Sequence, residues 1–449
     1  MGQIILNSLQ NSLSPQVWSF LLIVIPIFLP IILLYAFWVI RLKWVTTKFV
    51  EAQTPCLLEI KLPKEITKSP AAMEIFFSYL AFSGPANYGE AFIDGKVRPW
   101  SSCEIVSTGG NVRFFIWTSS AKNKNIIEAQ LYAQYPNIEV YQVEEKDDYT
   151  KDFHFDTEKY SFYGTQYTLT QPDPYPIKTY IDYGLDKDQK DEYKIDPMTS
   201  VIEFLGSLKK GNNVWLQILV QKHEKEGWKH GVIKMDINPK KANIFQKMLM
   251  PFFGTSRNLK DEVKEEIEKI RKEAIPESDK KDDEKTFKFP NPTKGQNERI
   301  AALERSATKT PFDCMIRSIY LAEKDAFNPV NISAMLGCMK QYGSLNLNGF
   351  KLKALTDVSD ERKDLTRILP FLKPFNNKKI REYKLEMFHA YKLRSFFQHP
   401  YKNYRATPFV LTTEELATIF HFPSGLVSQT PTLRRVGSKK SEAPSNLPI

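Results

Sequence analysis

The longest apolar run of the chain lies near its N-terminus. Residues 17–40 read VWSFLLIVIPIFLPIILLYAFWVI and contain no charged side chain. As a helix this run is roughly 36 Å long, enough to cross a hydrocarbon core of about 30 Å. A buried helix of a soluble domain is seldom apolar over this length. A cleaved signal peptide is disfavoured because no basic residue precedes the run and no small-residue cleavage site follows it. The pattern predicts one transmembrane helix.

The charges that flank this run predict its orientation. The first charged residue of the chain is Arg41, and Lys43 and Lys48 follow closely. Lys and Arg are retained on the cytoplasmic side of a membrane. We therefore expect residues 1–16 outside the cell, most of the chain in the cytoplasm, and the lipid bilayer as a partner. The predicted location is the cell membrane, with a single pass.

Residues 49–150 show the alternation of a compact α+β domain. Its clearest signal is a hairpin, in which Glu104–Thr108 and Asn111–Trp117 flank the turn Gly109-Gly110. A two-residue glycine turn tolerates the positive φ angles that tight hairpins need. Helical patterns before and after the hairpin, and strand patterns at both ends, give the order β-α-β-β-α-β. This is the order of a ferredoxin-like split unit.

A similar order of elements follows in residues 160–353, interrupted by a charged insertion near residues 239–296. The basic and apolar part of that insertion, residues 239–253, fits either a membrane face or packing against its own domain. Residues 354–424 are predicted to be a helical segment, and residues 425–449 an extended, basic, proline-containing tail. The predicted fold class is therefore α+β, with an N-terminal transmembrane helix, two ferredoxin-like α+β units and a helical and extended C-terminal tail.

Charge narrows the choice of partners. The chain has 62 Lys and Arg against 52 Asp and Glu, a formal net charge of +10. Such a balance suits an anionic membrane surface or nucleic acid, and also an ordinary solvated surface rich in lysine. One region, residues 378–405, mixes basic and aromatic side chains in the way that nucleic-acid surfaces do. The candidate nucleic-acid contacts are Lys378, Lys379, Arg381, Lys384, Lys392 and Arg394.

The sequence carries few signals of catalytic chemistry. The sequence contains no GxxxxGK[ST] phosphate loop and no GxGxxG, HExxH or GxSxG motif. The four cysteines form no CxxC pair, and the six histidines lack the spacing of metal ligands; His223 and His230 fit the tip of a solvated hairpin. We therefore predict no catalytic residue, no metal, no cofactor and no enzymatic activity. An enzyme with an unfamiliar site is left as a third alternative.

Several short motifs together resemble a known family. They are Ser69-Pro-Ala-Ala-Met-Glu, Cys103-Glu-Ile-Val-Ser, Glu128-Ala-Gln-Leu-Tyr-Ala-Gln-Tyr-Pro, Tyr175-Pro-Ile-Lys-Thr-Tyr, Thr310-Pro-Phe, Glu414-Glu-Leu-Ala-Thr-Ile-Phe-His-Phe-Pro and Gln429-Thr-Pro-Thr-Leu. The family that they resemble comprises uncharacterised single-span membrane proteins of candidate-phyla (Patescibacteria-type) bacteria. In that family the region precedes, or is encoded beside, a motor ATPase of the type IV secretion or conjugation kind. This chain departs from the fused form, because its 449 residues contain no phosphate loop.

The resemblance implies a membrane-anchored accessory or scaffold subunit that docks such a motor ATPase at the cytoplasmic face of the membrane. The alternative is a membrane-proximal nucleic-acid-binding module. Self-association as a homo-oligomer is a further prediction that the sequence leaves open. A capping box, Thr412 with Glu415, predicts a short helix near the C-terminus. The candidate partner-docking residues lie in this helix and in the tail: Leu416, Phe420, Arg434, Arg435, Lys439 and Lys440.

Overall fold

The computed structural model describes most of the chain between its N-terminal helix and residue 436. The described residues are 15–63, 66, 68–81, 90, 93–151, 153, 159–187, 195–223, 259–274, 291–356, 373–423 and 435–436. They divide into two units, of which the first contains the N-terminal helix and residues 93–97, and the second contains the sheet that begins after residue 52.

Helix α1 spans Pro15–Glu51 and includes the apolar run of residues 17–40. Among the described residues, however, the structure contains no helix with the length and apolarity that a bilayer crossing requires. The predicted transmembrane helix is therefore wrong. The predicted single-pass membrane location, which depended on it, is wrong for the same reason.

The first half of the sheet unit has the order of elements predicted for residues 49–150. Its elements are β1 (Cys56–Pro63), α2 (Ala71–Leu80), β2 (Trp100–Thr108), β3 (Asn111–Thr118), α3 (Lys124–Gln134) and β4 (Glu139–Val143). The strands lie in the order β4-β1-β3-β2, and every neighbouring pair is antiparallel. This arrangement is that of the ferredoxin-like split unit.

The second half repeats this topology with an insertion. Its elements are β5 (Tyr160–Leu169), α4 (Pro197–Gly206), β6 (Asn212–Lys222), α5 (Leu259–Glu273), α6 (Lys294–Thr308), β7 (Pro311–Glu323), α7 (Pro329–Lys340) and β8 (Phe350–Leu355). The strand order β8-β5-β7-β6 is the same permutation as in the first half. Helices α5 and α6 belong to the insertion, and they pack on each other through Val263, Ile267 and Leu303.

The two halves form one continuous sheet. Strand β2 pairs with β6 in antiparallel register, with Trp100 opposite Gln221 and Glu104 opposite Gln217. Because β2 and β6 are the second strand of their respective halves, the two halves are related by an approximate two-fold rotation at this junction. The main hydrophobic core lies on one face of the sheet, under the helices that follow the strands, and extends across both halves.

The C-terminal part also joins the sheet, so residues 354–424, which were predicted to be a helical segment, contain a strand besides their helices. Its elements are α8 (Lys373–Lys392), β9 (Phe409–Thr412), α9 (Thr413–Ile419) and the two-residue β10 (Arg435–Val436). Strand β9 pairs with β7, and β10 pairs in parallel with the end of β1 at Leu62 and Pro63. Of the predicted extended tail, residues 425–449, only residues 435–436 are described.

The β2–β3 hairpin provides a test of the fold. Gly110 has φ +89°, and a Cβ atom added there would lie 2.5 Å from the carbonyl oxygen of Leu208. Gly110→Ala should therefore lower the free energy of unfolding by at least about 1–2 kcal/mol, through positive-φ strain and this clash. Unfolding in urea measures the change.

Gly337 is the matched control for this substitution. It lies on the exposed side of α7, and apart from the helix's own backbone no atom comes within 4 Å of an added Cβ. Gly337→Ala should raise the free energy of unfolding by up to about 1 kcal/mol, because alanine favours a helix over glycine. Equal stability of Gly110→Ala and the wild type would contradict the hairpin geometry.

Candidate nucleic-acid interface

A row of polar side chains crosses the face of the sheet opposite the main core. Glu104 on β2 lies opposite Gln217 on β6, and Gln217 lies opposite Arg317 on β7. All three side chains have 0% exposure. Strand alternation accounts for their placement, because their neighbours Cys103, Ile218 and Ile316 point into the core on the other face.

The Gln217 side chain links the carboxylate of Glu104 to the guanidinium of Arg317. Its Nε2 donates to Glu104 Oε1 over 2.7 Å, and its Oε1 accepts from Arg317 Nε over 2.5 Å. Glu104 also accepts hydrogen bonds from the hydroxyls of Ser102 and Tyr149, at 2.7 and 2.8 Å. The amide therefore lets opposite charges on two strands compensate each other without direct contact.

Arg394 adds a second buried cation to this row. Its Nε and Nη2 donate to the two carboxylate oxygens of Glu104, at 3.0 and 3.1 Å, and its Nη1 donates to Asp148 Oδ2 at 2.6 Å. Forked contacts of this kind are the strongest that arginine makes with carboxylates. We call Glu104, Asp148, Gln217, Arg317 and Arg394 the central polar cluster.

The protonation of the central polar cluster follows from these contacts. Burial by itself would lower the pKa of Arg394, but Glu104 and Asp148 raise it well above its ordinary value. Burial would likewise raise the pKa of Asp148, yet Arg394 lowers it. Burial lowers the pKa of Arg317 to about 9, because this guanidinium donates its hydrogen bonds to neutral groups, an amide and two backbone carbonyls.

Both arginines hold the C-terminal end of α8. Ser395 N donates to Ala390 O and Arg394 N donates to Tyr391 O, which is the Schellman pattern of helix termination. Arg394 occupies the left-handed position of this motif, with φ +47°, where glycine is usual. Arg317 donates through Nη2 to Ala390 O over 2.7 Å and through Nη1 to Ser395 O over 3.4 Å. The central polar cluster thus fixes this end of α8 on the sheet.

The structure separates the six predicted nucleic-acid contacts into two groups. Arg394 is only 3% exposed and fully engaged with carboxylates, so its prediction as a phosphate contact is wrong. Lys392 is half-buried and donates to the carbonyl of Phe153. Lys384 is also half-buried, whereas Lys378, Lys379 and Arg381 are exposed on the first turns of α8.

Arg405 also belongs to this surface, although it was not predicted from the sequence as a nucleic-acid contact. Arg405 places its Cζ atom 3.3 Å from the ring centroid of Tyr383, and Lys379 Nζ lies 5.9 Å from the same ring. Two acidic residues, Glu382 and Glu386, interrupt the positive charge. Only the mixture of arginine and tyrosine in residues 378–405 hinted at this contact. We call Lys378, Lys379, Arg381, Tyr383 and Arg405 the α8 basic face.

The predicted partner-docking residues of α9 lie in the core. Leu416 and Phe420 both have 0% exposure, and the Phe420 ring packs edge-on against Phe114 at 6.0 Å. Their prediction as docking residues is wrong, because α9 packs against α2 and α4 rather than facing solvent. Arg434, Lys439 and Lys440 lie outside the described residues, and for Arg435 only the backbone is described.

The carboxylates of α9 have internal partners. Glu415 accepts from Thr412 N at 2.8 Å, as the capping box predicted, and from Ile177 N at 2.9 Å. Burial raises the pKa of Glu415 to about 7. Glu414 contacts the Thr179 hydroxyl at 2.6 Å and Arg305 Nε at 3.0 Å. These contacts tie the loop after β5 to α9.

The structure also gives the positions of His223 and Cys103. His223, predicted at a solvated hairpin tip, instead contacts Asp313 Oδ1 through Nδ1 at 2.7 Å; His230 lies outside the described residues. Cys103 is buried against the core, and burial raises the pKa of its thiol. In the part of the chain that the structure describes, no group of three or more His, Cys, Asp or Glu could hold a metal ion.

These features define an α+β protein with a duplicated split unit and a helix held across the sheet junction by buried charges. The chain belongs to the family of the domain of unknown function DUF8128, whose sequence profile matches residues 86–434. No curated protein matches the chain.

Replacing Arg394 by glycine tests whether contacts or backbone strain dominate at the end of α8. Breaking a buried ion pair costs about 3–5 kcal/mol, whereas glycine at a left-handed position recovers about 1 kcal/mol. Arg394→Gly should therefore lower the free energy of unfolding by about 2–4 kcal/mol in urea titrations. Asn403, exposed and also at positive φ (+50°), gives the control. Asn403→Gly should be neutral or slightly stabilising, and a similar result for Arg394→Gly would contradict a stabilising cluster.

The pair His421–Asp196 predicts a pH dependence of stability. Both His421 ring nitrogens face acceptors, Nδ1 the Ala417 carbonyl at 2.9 Å and Nε2 the Asp196 carboxylate at 3.1 Å, so only the imidazolium satisfies both. Burial alone would lower the pKa of His421, but Asp196 raises it, while His421 lowers the pKa of Asp196.

The sign of this effect follows from linkage. A raised histidine pKa gives stability that is complete below the ordinary value of about 6.5 and is lost as the pH rises through the raised pKa. The Asp196 contribution is present above about pH 3.9 and is lost as the pH falls through its lowered pKa. The stability advantage of the wild type over His421→Gln should be largest near pH 5–6 and shrink at alkaline pH, measured by urea unfolding. A pH-independent difference would argue against the charged pair.

Proposed function

We propose that this protein is a non-catalytic accessory subunit that binds nucleic acid through the α8 basic face. Its setting would be a DNA-transport apparatus of the type IV secretion or conjugation kind. The observation that carries the proposal is the exposure of Lys378, Lys379 and Arg381 on a helix whose far end is fixed by the central polar cluster.

The charge balance of this surface favours a polyanion. Between residues 378 and 392 of α8, five side chains are basic and two are acidic, and Arg405 adds a sixth basic group, which gives a net charge of +4. The six are Lys378, Lys379, Arg381, Lys384, Lys392 and Arg405, and the two acidic residues are Glu382 and Glu386. Contacts between such cations and phosphates supply most of the affinity in sequence-independent nucleic-acid binding.

A fixed helix presents these charges better than a mobile segment would. Ordering a free lysine or arginine side chain costs rotamer entropy, and ordering its backbone costs more. The central polar cluster has already fixed the C-terminal end of α8. The ring contact of Tyr391 with Trp215 and the hydrogen bond between the Tyr391 and Tyr149 hydroxyls support it. Less entropy is then lost when phosphates bind, which raises affinity.

The buried carboxylates support a non-catalytic role. A general acid or base must reach the proton that it transfers. Glu104 instead accepts hydrogen bonds from Ser102, Tyr149, Gln217 and Arg394 at 0% exposure, and Glu415 is held by backbone amides. These side chains maintain the fold, and we assign them no reaction.

The family resemblance supplies the protein partner in this proposal. It implies a motor ATPase of the type IV secretion or conjugation kind, encoded beside the chain. Because Leu416 and Phe420 are buried, they are excluded from the surface that would contact such a partner. An accessory subunit that holds nucleic acid near a motor suits a chain that has no phosphate loop of its own.

Removing the three exposed cations tests the proposal. In the triple variant K378A/K379A/R381A, binding of the full chain to a labelled oligonucleotide should weaken, because about three phosphate contacts are lost. The slope of log affinity against log salt concentration should fall by about 2 for a single strand or about 2.7 for a duplex. Fluorescence anisotropy at several salt concentrations measures both quantities.

The matched control removes the same charges elsewhere. Lys264, Arg271 and Lys272 are exposed on α5, so K264A/R271A/K272A lowers the net charge equally. This control should keep nearly the wild-type affinity and slope. Equal losses in the two triple variants, or wild-type binding that does not depend on salt, would overturn the proposed interface.

A further inference from the structure

The chain after α8 turns back over the helix in a strained conformation. Asn403 and Arg405 both have positive φ, +50° and +52°, which side chains other than glycine seldom adopt. The strain places the Arg405 guanidinium against α8, with Cζ 3.3 Å from the centroid of the Tyr383 ring. Because the Arg405 side chain contacts α8, its strained backbone points to a task for that side chain.

The contacts of Arg405 fix the plane of its guanidinium. A hydrogen bond from Arg405 lowers the pKa of the Tyr383 hydroxyl, and Nη2 lies 3.4 Å from Glu386 Oε2. Glu386 also accepts from the Tyr404 hydroxyl at 3.0 Å, and the Tyr404 ring centroid lies 5.2 Å from Arg405 Cζ. The side chain of Arg405 nevertheless keeps 33% of its surface exposed. The guanidinium carbon of Arg405 thus lies over an aromatic ring at the protein surface.

The neighbours of Arg405 favour a neutral planar ligand over a phosphate. The Glu386 carboxylate is 45% exposed and would repel a phosphate placed at the guanidinium edge. A nucleobase carries no charge, and bases stack on guanidinium planes as they do on aromatic rings. Lys379, one helical turn before Tyr383, lies near enough to hold the phosphate of the same nucleotide.

We propose that Arg405, supported by Tyr383, is a base-stacking site and that the α8 basic face therefore binds single-stranded nucleic acid in preference to duplex. This proposal rests on the nucleic-acid-binding function proposed above and names its substrate class. In a duplex the faces of the bases are covered by their neighbours, so only a single strand offers a base to Arg405. Lys378, Lys379 and Arg381 then contact phosphates, which both forms of nucleic acid offer.

The experiment compares three ligands on the full chain: a single strand of thymidines about 30 nucleotides long, a strand of the same length with abasic sites, and a duplex. The wild type should bind the thymidine strand about tenfold more tightly than the abasic strand, since one stacked base contributes about 1–3 kcal/mol. In R405K, which keeps the charge and loses the plane, this preference should fall to less than about threefold. Abasic and duplex affinities should change less than about twofold.

Two controls separate folding from recognition. The melting temperature of R405K should match that of the wild type, and K264A/R271A/K272A, which removes three exposed cations from α5, should retain the preference for bases. K378A/K379A/R381A should weaken the binding of all three ligands by a similar factor.

The outcomes distinguish the two proposals. Salt-dependent wild-type binding with no preference for thymidine over abasic strands, or an unchanged preference in R405K, overturns the stacking site and leaves the proposed function in place. Absence of binding to every ligand overturns both.

Discussion

The pairing of β2 with β6 is the interaction on which the rest of the structure depends. Each half of the sheet unit would otherwise expose the edge of its second strand, with a row of unpaired backbone amides and carbonyls. Joining the two edges satisfies those groups and creates one surface that spans both halves. On the far side of this surface the junction places Glu104 of the first half beside Gln217 of the second, and Gln217 lies beside Arg317 within the second half, so the complete row needs both halves. The central polar cluster is thus a consequence of how the halves are joined.

Burying that cluster has a cost that the fold must offset. A buried ion pair is often no more stabilising than well-packed apolar residues, although removing one partner is strongly destabilising. Its benefit here is positional specificity. The forked contacts of Arg394 with Glu104 and Asp148, and those of Arg317 with the last carbonyls of α8, admit one placement of the helix end. An apolar contact would allow the helix to slide or rotate, and the exposed cations on its first turns would then have no fixed geometry.

Local signals in the sequence predicted local structure well. The turn Gly109-Gly110 joins β2 to β3, and Thr412 with Glu415 forms the predicted capping box. These signals depend on residues at most four apart, so the chain around them hardly matters. The order of strands and helices in each half could also be predicted, because the hydrophobic patterns of strands and helices have different periods.

Predictions that depended on tertiary packing were less accurate. Leu416 and Phe420 form an apolar stripe that fits either a docking surface or a core, and only tertiary packing makes it core. The membrane span was inferred from an apolar run, and the described part of α1 does not support it. The pairing of β2 with β6 brings together residues more than a hundred positions apart, and no local pattern signals it.

Arg394 and Arg405 show why the sequence could not assign the basic residues near α8. Both belong to the same basic and aromatic stretch, and both have a left-handed backbone, with φ +47° and +52°. Glycine would relieve the strain at either position, so the contacts of each arginine side chain have to offset a backbone penalty of about 1 kcal/mol. The Arg394 backbone turns its side chain inward, where two carboxylates neutralise it. The Arg405 backbone lays its side chain on Tyr383, where a third of it stays exposed. The same strained conformation therefore serves two purposes in one segment. Arg394 fixes the end of the helix on the sheet, and Arg405 places a cation on the surface of the helix.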